Sequence, residues 1–223
     1  MSGISRGIET VHEQNIARRR ARVLSNHLAS VIPQRATVLD VGCGDGEIAC
    51  LVGQSRPDLT IRGVDVLVRS DTQIAVEPYD GATLPGKDNS FDVVTLVDVL
   101  HHCDDPKAVL REAMRVARQA IVIKDHTRNG LAARQTLRLM DWVGNHRYGV
   151  ALPYNYLSRA EWDCLFAELE LKREQSRDRL GLYPWPLNML FERGLHFVAR
   201  LAVPRESVDL DSMAEDAQAH AVV

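Results

Sequence analysis

The sequence predicts an α/β fold, a doubly wound and mostly parallel sheet with helices on both faces. Three observations point to it. Short apolar runs alternate with helical stretches between residues 37 and 124, the rhythm of a parallel sheet whose crossovers are helices. Two of the runs, 91–96 (FDVVTL) and 120–124 (AIVIK), read as strands buried on both faces. The first run, TVLDV at 37–41, passes directly into a glycine-rich loop, Gly42-Cys43-Gly44-Asp45-Gly46.

Residues 10–32 predict a helix, with Val11, Ile16, Val23, Leu24, Leu28 and Val31 as its apolar stripe, ended by Pro33. Its arginines, Arg18, Arg19, Arg20 and Arg22, read as a solvated face. A strand over 37–41, a helix over 47–55, a strand over 60–66 and a short strand over 74–78 follow, then the strand at 91–96. The helix at 106–118 places Ala108, Val109, Ala113 and Val116 on one side, ahead of the strand at 120–124. After His126 the rhythm changes. Residues 130–143 are helical, with Ala133, Leu137, Met140 and Val143 at helical spacing, and 144–156 are loop-like. Ser158 with Glu161 forms a capping box that starts another helix. A polar edge strand is expected within 169–182, a rigid turn at Tyr183–Pro186 (YPWP), and a last strand over 196–203.

The 223 residues, 45% of them hydrophobic, suffice for one good core. The organisation expected is an N-terminal helical segment (1–36), one domain (37–204), and a disordered acidic tail (205–223). A net charge of −3 offers no basic field for nucleic acid. The four cysteines are scattered with no C-x-x-C pair, so neither a zinc site nor a disulfide framework is expected. No apolar stretch follows the small polar N-terminal residues, and no run approaches a membrane span. The expected location is cytoplasmic.

Glycine lets a backbone approach a ligand closely and turn through conformations closed to other residues. Asp65 ends the second strand about twenty residues downstream, where an acid accepts from a ribose diol. Two dinucleotide features are missing. Position 47, where G-x-G-x-x-G needs glycine, is Glu47, and carboxylates at Asp40 and Asp45 flank the loop. Such carboxylates repel a pyrophosphate and favour a sulfonium and an α-ammonium. No G-K-[ST] follows, so a P-loop is excluded. The loop suits a cationic nucleoside without phosphates.

Asp40-Val-Gly42-Cys-Gly44-Asp-Gly46 resembles the first motif of the class I S-adenosylmethionine-dependent methyltransferases. DGATLP (80–85), leading into DNSFDVV (88–94), resembles that family's third-strand acid and the start of its fourth strand. VDVLHHCDDP (97–106) resembles the small-molecule branch called type 11. Four motifs in order over residues 38–124 carry the resemblance. It implies a Rossmann-like, seven-stranded sheet, S-adenosyl-L-methionine as cofactor, and a helical lid inserted after the fifth strand, here 127–157. It further implies that Asp40, Gly42, Cys43, Gly44 and Asp45 surround the methionine part. Asp65 then holds the ribose, Val66 meets the adenine, and Asp80 with Gly81 meets the adenine amino group. Val97 and Asp98 lie near the methionyl end, Asp98 standing where a small or apolar residue is usual.

Methyl transfer needs an oriented nucleophile and, for a hydroxyl, a base. His101 and His102 follow the fourth strand, and Asp125 and His126 follow the fifth, so a parallel sheet makes them neighbours. His126, His102 and Asp125 are the catalytic candidates, with Asp125 orienting a histidine. Asp104 and Asp105 before Pro106 read as a helix start, and no metal is expected. Trp142, Tyr154, Asn155 and Tyr156 are the candidate substrate contacts, combining aromatic surface with polar tips; Asn145, His146, Arg147 and Tyr148 belong to the same stretch. Trp185, Leu187, Met189, Leu190 and Phe191 read as core or a subunit interface. The function expected is methylation of a small, partly hydrophobic molecule at oxygen, with histidine as base. The alternatives are a macromolecular (RNA or protein) methyltransferase and a non-catalytic S-adenosylmethionine-binding module. The expected partner is a small-molecule acceptor rather than nucleic acid, and a homodimer is compatible with the sequence.

Overall fold

The computed structural model describes residues 2–145 and 153–204. The segment 205–223, expected to be an acidic tail, lies outside the described residues, as do His146, Arg147 and Tyr148. The chain runs α1 (Ser2–Val31), β1 (Thr37–Val41), α2 (Glu47–Ser55), β2 (Thr60–Asp65), β3 (Val76–Pro78), β4 (Phe91–Val97), a 3-10 turn (Leu100–His102), α3 (Pro106–Val116) and β5 (Ala117–His126). It continues through α4 (Ala133–Asn145), α5 (Arg159–Glu168), β6 (Lys172–Arg177), α6 (Asn188–Phe191) and β7 (His196–Ala202). The seven strands lie in the order β3-β2-β1-β4-β5-β7-β6. Those from β3 to β5 are parallel, and β7 runs antiparallel to both of its neighbours.

Alternation along the central strands divides their side chains between two layers. Leu39, Val41, Val94, Leu96, Ile121 and Ile123 pack with Leu110, Ala113 and Val116 of α3 and Trp162 and Phe166 of α5. Val38, Val93, Val122 and Val198 pack on the other face with Leu24, Leu28 and Val31 of α1 and Val52 of α2. Asp105 caps α3 through the Ala108 N–H at 3.0 Å, with Pro106 in the first turn, and the Ser158–Glu161 capping box opens α5.

Several sequence expectations are adjusted. Helix α1 starts at Ser2 rather than near residue 10, and α4 continues through Asn145 into the stretch expected to be loop. Only Lys172–Arg177 of the stretch 169–182 is strand, exposed along its length as an edge strand should be. Leu180 and Leu182 instead join the α1 face of the core.

Where β1 meets β4, Asp40 stands opposite Thr95, whose hydroxyl donates to the Asp40 carboxylate at 2.5 Å. Both side chains are buried. Burial, only partly offset by the Thr95 hydrogen bond, pushes the Asp40 carboxyl up to about 6. The folded state therefore binds this proton more tightly than the unfolded chain. Its contribution to stability is full below the unfolded value of about 4 and is lost as pH rises through 6. Asp40→Asn removes that dependence. The difference in unfolding free energy between wild type and Asp40→Asn should change by on the order of 3 kcal/mol between pH 4 and 7, measured by urea denaturation; parallel pH profiles would refute it.

Candidate active site

The carboxyl ends of the parallel strands form the crevice where such sheets bind ligands. Gly42, Gly44 and Gly46 all adopt positive φ, 66°, 61° and 76°, so the chain leaves β1 in a tight curl that Cβ-bearing residues resist. At Gly42 a Cβ would also lie 2.6 Å from Val99 Cγ2. Asp65, at the end of β2, binds the loop in place. One carboxylate oxygen accepts from Gly44 N–H and the other from Leu67 N–H, each at 2.8 Å. Each oxygen has a second lone pair, so ribose hydroxyls retain an acceptor there. Val66, Leu67 and Val68 are exposed side by side, and a Cβ on Gly81 would sit 3.3 Å from Val66. This apolar surface beside the Asp80–Gly81 turn suits a flat base. Asp80 accepts from Ala82 and Thr83 N–H at 2.9 and 2.7 Å, which lowers its carboxyl below the usual range.

The loop fits a phosphate-free nucleoside better than a dinucleotide. The N–H of Glu47, at the start of α2, is taken by Asp45 at 3.1 Å, and Glu47 places another acid there. Two details were not legible in the sequence. Cys43 turns its sulfur back onto Gly63, with Sγ 2.5 Å from where a Cβ would stand. Burial pushes its thiol up to about 12, so only its backbone is suited to ligand contact. Arg69 pairs with Asp45 at 3.6 Å and lays its guanidinium over Gly44.

Beyond β4 the crevice becomes a buried cluster of acids and histidines. Asp98 takes a left-handed conformation, φ 58°, and receives the Lys124 ammonium. Lys124 is fully buried. Burial opposes ionisation of Asp98, but Lys124 and His101 hold its carboxyl down at about 2. Asp125, also fully buried, accepts from His101 Nδ1 at 2.7 Å, His126 N–H at 2.7 Å and Leu100 N–H at 3.1 Å. His101 Nε2 lies 3.4 Å from Asp141 of α4, which also receives the Tyr156 hydroxyl. Burial alone would lower His101, but the two carboxylates push it up to about 10, so it is an imidazolium at neutral pH.

His126 has the opposite environment. Burial, then Lys124, His101 and His196, drive it well below the ordinary histidine value. Its Nδ1 lies 3.0 Å from His196 Nδ1, and its Nε2 lies 3.3 Å from Asp98 and 4.0 Å from Asp141. The rings of His101 and His126 are 4.7 Å apart, as expected from adjacent strand ends. The His102 ring lies 4.1 Å from that of His101, tilted by 43°, and His102 is lowered by burial and by that neighbour's charge. Asp125 orients His101, whereas it touches His126 only at the backbone.

The expected substrate contacts divide. Tyr156 is buried and its hydroxyl is committed to Asp141. Asn155 braces the 3-10 turn, its N–H on His101 O at 3.1 Å and its amide on Cys103 O at 3.2 Å. Tyr154 carries Arg138 4.6 Å above its ring, and Trp142 is 53% exposed. The expected solvated arginine face also needs correction. Arg20 turns inward, its guanidinium 5.2 Å from the Tyr183 ring and its Nε buried without a hydrogen-bond partner. Its charge acts on Asp98 and His126.

Among the described residues, Asp98–His101–His126 and His101–His102–Asp141 each bring three candidate ligand atoms within 4.8 Å of one another. In the first of these the Asp98 carboxylate is already shared with the Lys124 ammonium. Lys124, Asp141, His196 and Arg20 were not singled out in the sequence. A signal existed for two of them. Lys124 ends an apolar run and still lies within the strand, and Asp141 stands four residues after Leu137 on the apolar stripe of α4.

Residues 39–121 match the model of a methyltransferase domain, type 11. The chain is similar to 27-O-demethylrifamycin SV methyltransferase of Amycolatopsis mediterranei, 34% identical over 110 residues. That match covers 43% of this chain and only 40% of the relative's length. It is 28% identical over 202 residues to the ubiquinone biosynthesis O-methyltransferase of Psychrobacter cryohalolentis, covering 78% of this chain and 73% of that one. Among solved structures, an S-adenosylmethionine-dependent methyltransferase of Methanosarcina mazei shares the fold, with a TM-score of 0.59 at 15% identity. It covers 80% of this chain and 97% of that one. With the glycine loop, its acids and the 3-2-1-4-5-7-6 sheet in place, the chain carries over residues 39–121 a methyltransferase domain similar to the type 11 branch of the class I S-adenosylmethionine-dependent methyltransferases.

Proposed function

We propose that this chain methylates a hydroxyl of a small, partly hydrophobic acceptor, with His126 as the general base. The single observation that carries the reading is the pairing of a neutral, buried His126 with carboxylates at its Nε2, beside the methionyl end of the cofactor crevice. The two relatives, one a 27-O-demethylrifamycin SV methyltransferase and one a ubiquinone biosynthesis O-methyltransferase, support a small acceptor and oxygen as the methylated atom.

Asp65 would hold the ribose, Val66 and the Asp80–Gly81 turn the adenine, and the backbone of Gly42–Asp45 with Asp98 the methionine end. S-adenosylmethionine, when bound there, supplies an electrophilic methyl group on a sulfonium. His126 Nε2 would take the acceptor's hydroxyl proton as that oxygen is methylated. Burial, Lys124 and His101 keep His126 unprotonated beforehand but also weaken it as a base, so the transfer depends on the carboxylates at its Nε2. Asp98 and Asp141 then stabilise the imidazolium that results. Asp125 positions His101, whose fixed positive charge discourages early protonation of His126. His126 is only 3% exposed, behind α4. We therefore assign segment 127–157 as the acceptor's cover, with Trp142 on its exposed side.

Three outcomes test this reading. Asp65→Ala should weaken S-adenosylmethionine binding by about 1–3 kcal/mol through loss of charge-assisted hydrogen bonds; unchanged affinity by calorimetry would remove the cofactor assignment. A metabolite screen with methyl-labelled cofactor identifies the acceptor. With it, His126→Ala should bind cofactor normally and lose about 10²–10⁴-fold in turnover, and full activity would eliminate the base. Binding of that acceptor should slow amide exchange across 127–157, and identical exchange with and without it would reject the cover.

A further inference from the structure

We propose that His196 is a positioning residue that holds His126 in its Nδ1–H tautomer and leaves Nε2 as the bare nitrogen facing the cluster. The proposal rests on the reading of His126 as base and names the group that makes it one.

The hydrogen bonds fix the protons in sequence. His196 Nε2 lies 2.8 Å from the carbonyl oxygen of Phe191, at the end of α6. A carbonyl only accepts, so His196 carries its hydrogen on Nε2. Burial and the Lys124 charge push His196 down to about 3, so it is neutral and its Nδ1 is bare. That nitrogen faces His126 Nδ1 at 3.0 Å. Two bare nitrogens at this distance would repel, so the hydrogen between them belongs to His126 Nδ1. His126 is itself neutral, and its lone pair is therefore on Nε2.

Without His196 the surroundings would select the other tautomer. Asp98 lies 3.3 Å and Asp141 4.0 Å from His126 Nε2, and both favour a hydrogen there. An Nε2–H donating to Asp98 could not accept a proton from an acceptor molecule. The contact between His126 and His196 opposes this preference, and the Lys124 ammonium on Asp98 weakens it. Among the described residues, the groups acting on His126 are Asp98, Asp141, Lys124, Arg20, His101, Tyr156 and His196. Among them only His196 and the carbonyl behind it enforce a bare Nε2. The fold places the pair deliberately close: His126 ends β5, His196 begins the antiparallel β7, and the two are in register.

Nitrogen-15 histidine side-chain NMR of the full chain at pH 7 reads the tautomer without any acceptor. Signals of His126 are identified by their loss in His126→Gln. In wild type, Nδ1 should carry hydrogen and Nε2 should show the shift of a bare nitrogen. His196→Asn, whose side-chain oxygen can accept the same hydrogen bond, should keep this pattern. His196→Leu should move the hydrogen of His126 to Nε2. Calorimetric binding of S-adenosylhomocysteine checks that each variant is folded. A wild-type His126 with hydrogen on Nε2, or on both nitrogens, overturns the proposal, as does an unchanged tautomer in His196→Leu. Should His196→Leu not fold, wild type and His196→Asn still decide: retention of the Nδ1–H pattern in both supports the proposal, and its loss in His196→Asn overturns it. An unchanged tautomer in His196→Leu alongside an inactive His126→Ala would remove the role of His196 and leave the base standing. A wild-type Nδ1–H pattern with a fully active His126→Ala would do the reverse.

Discussion

Three carboxylates, on Asp98, Asp125 and Asp141, are gathered at the mouth of the sheet around side chains with almost no access to water. A buried charge without a partner costs several kcal/mol, and removing one member of a buried pair costs about 3–5 kcal/mol. The local architecture follows from meeting that constraint. Lys124 lies wholly inside the protein to reach Asp98, and His101 is clamped between Asp125 and Asp141 and stays protonated. With these two positive groups in place, His126 and His196 are left neutral beside them. The same constraint fixes backbone as well as side chains. Asp125 gathers N–H groups from the end of its own strand and from the turn after β4, which ties the two strand ends together.

The two halves of the site are built differently. On the cofactor side Asp65 is half-exposed and Asp80 exposed, and their oxygens are shared with loop N–H groups, which leaves capacity for a ligand that brings hydroxyls, whereas Asp40 is buried against Thr95. On the acceptor side the acids are buried and paired with cationic groups. Asp98 lies on the boundary, its backbone at the end of β4 and its carboxylate in the buried network. A left-handed backbone at this position, strained for a residue with a side chain, is what turns the carboxylate from one half towards the other.

The sheet was legible because the alternation of apolar runs and helical stretches is repeated over many residues. Thr37–Val41 and Glu47–Ser55 fall as expected. The glycine loop and Asp65 were legible because their chemistry is local, set by residues within a strand and the turn that follows it. The acceptor side was less so. His126 and His102 were recognisable by type and place, yet what distinguishes them is contact across the fold. His196 is seventy residues from His126 in sequence, and it resembles any residue that opens an apolar strand. Arg20 was read as surface because three neighbouring arginines surround it, and no periodicity separates the one that turns inward. Asp141 is a single polar residue within an apolar stretch, where a pattern of hydrophobicity registers only an interruption, and Lys124 closes its apolar run as a polar residue ahead of a loop would.

The reversed direction of β7 has a consequence for how such a chain can diversify. A parallel neighbour of β5 would bring its far end to the crevice; the antiparallel one brings its beginning, so the peptide just before it belongs to the site. Both borders of the long excursion from β5 to β7 are thereby pinned at one point, His126 beside His196. Within the excursion, α5 is held by the core and β6 by pairing with β7, so the part open to variation is the stretch ahead of Ser158, which can change without disturbing β1 to β4.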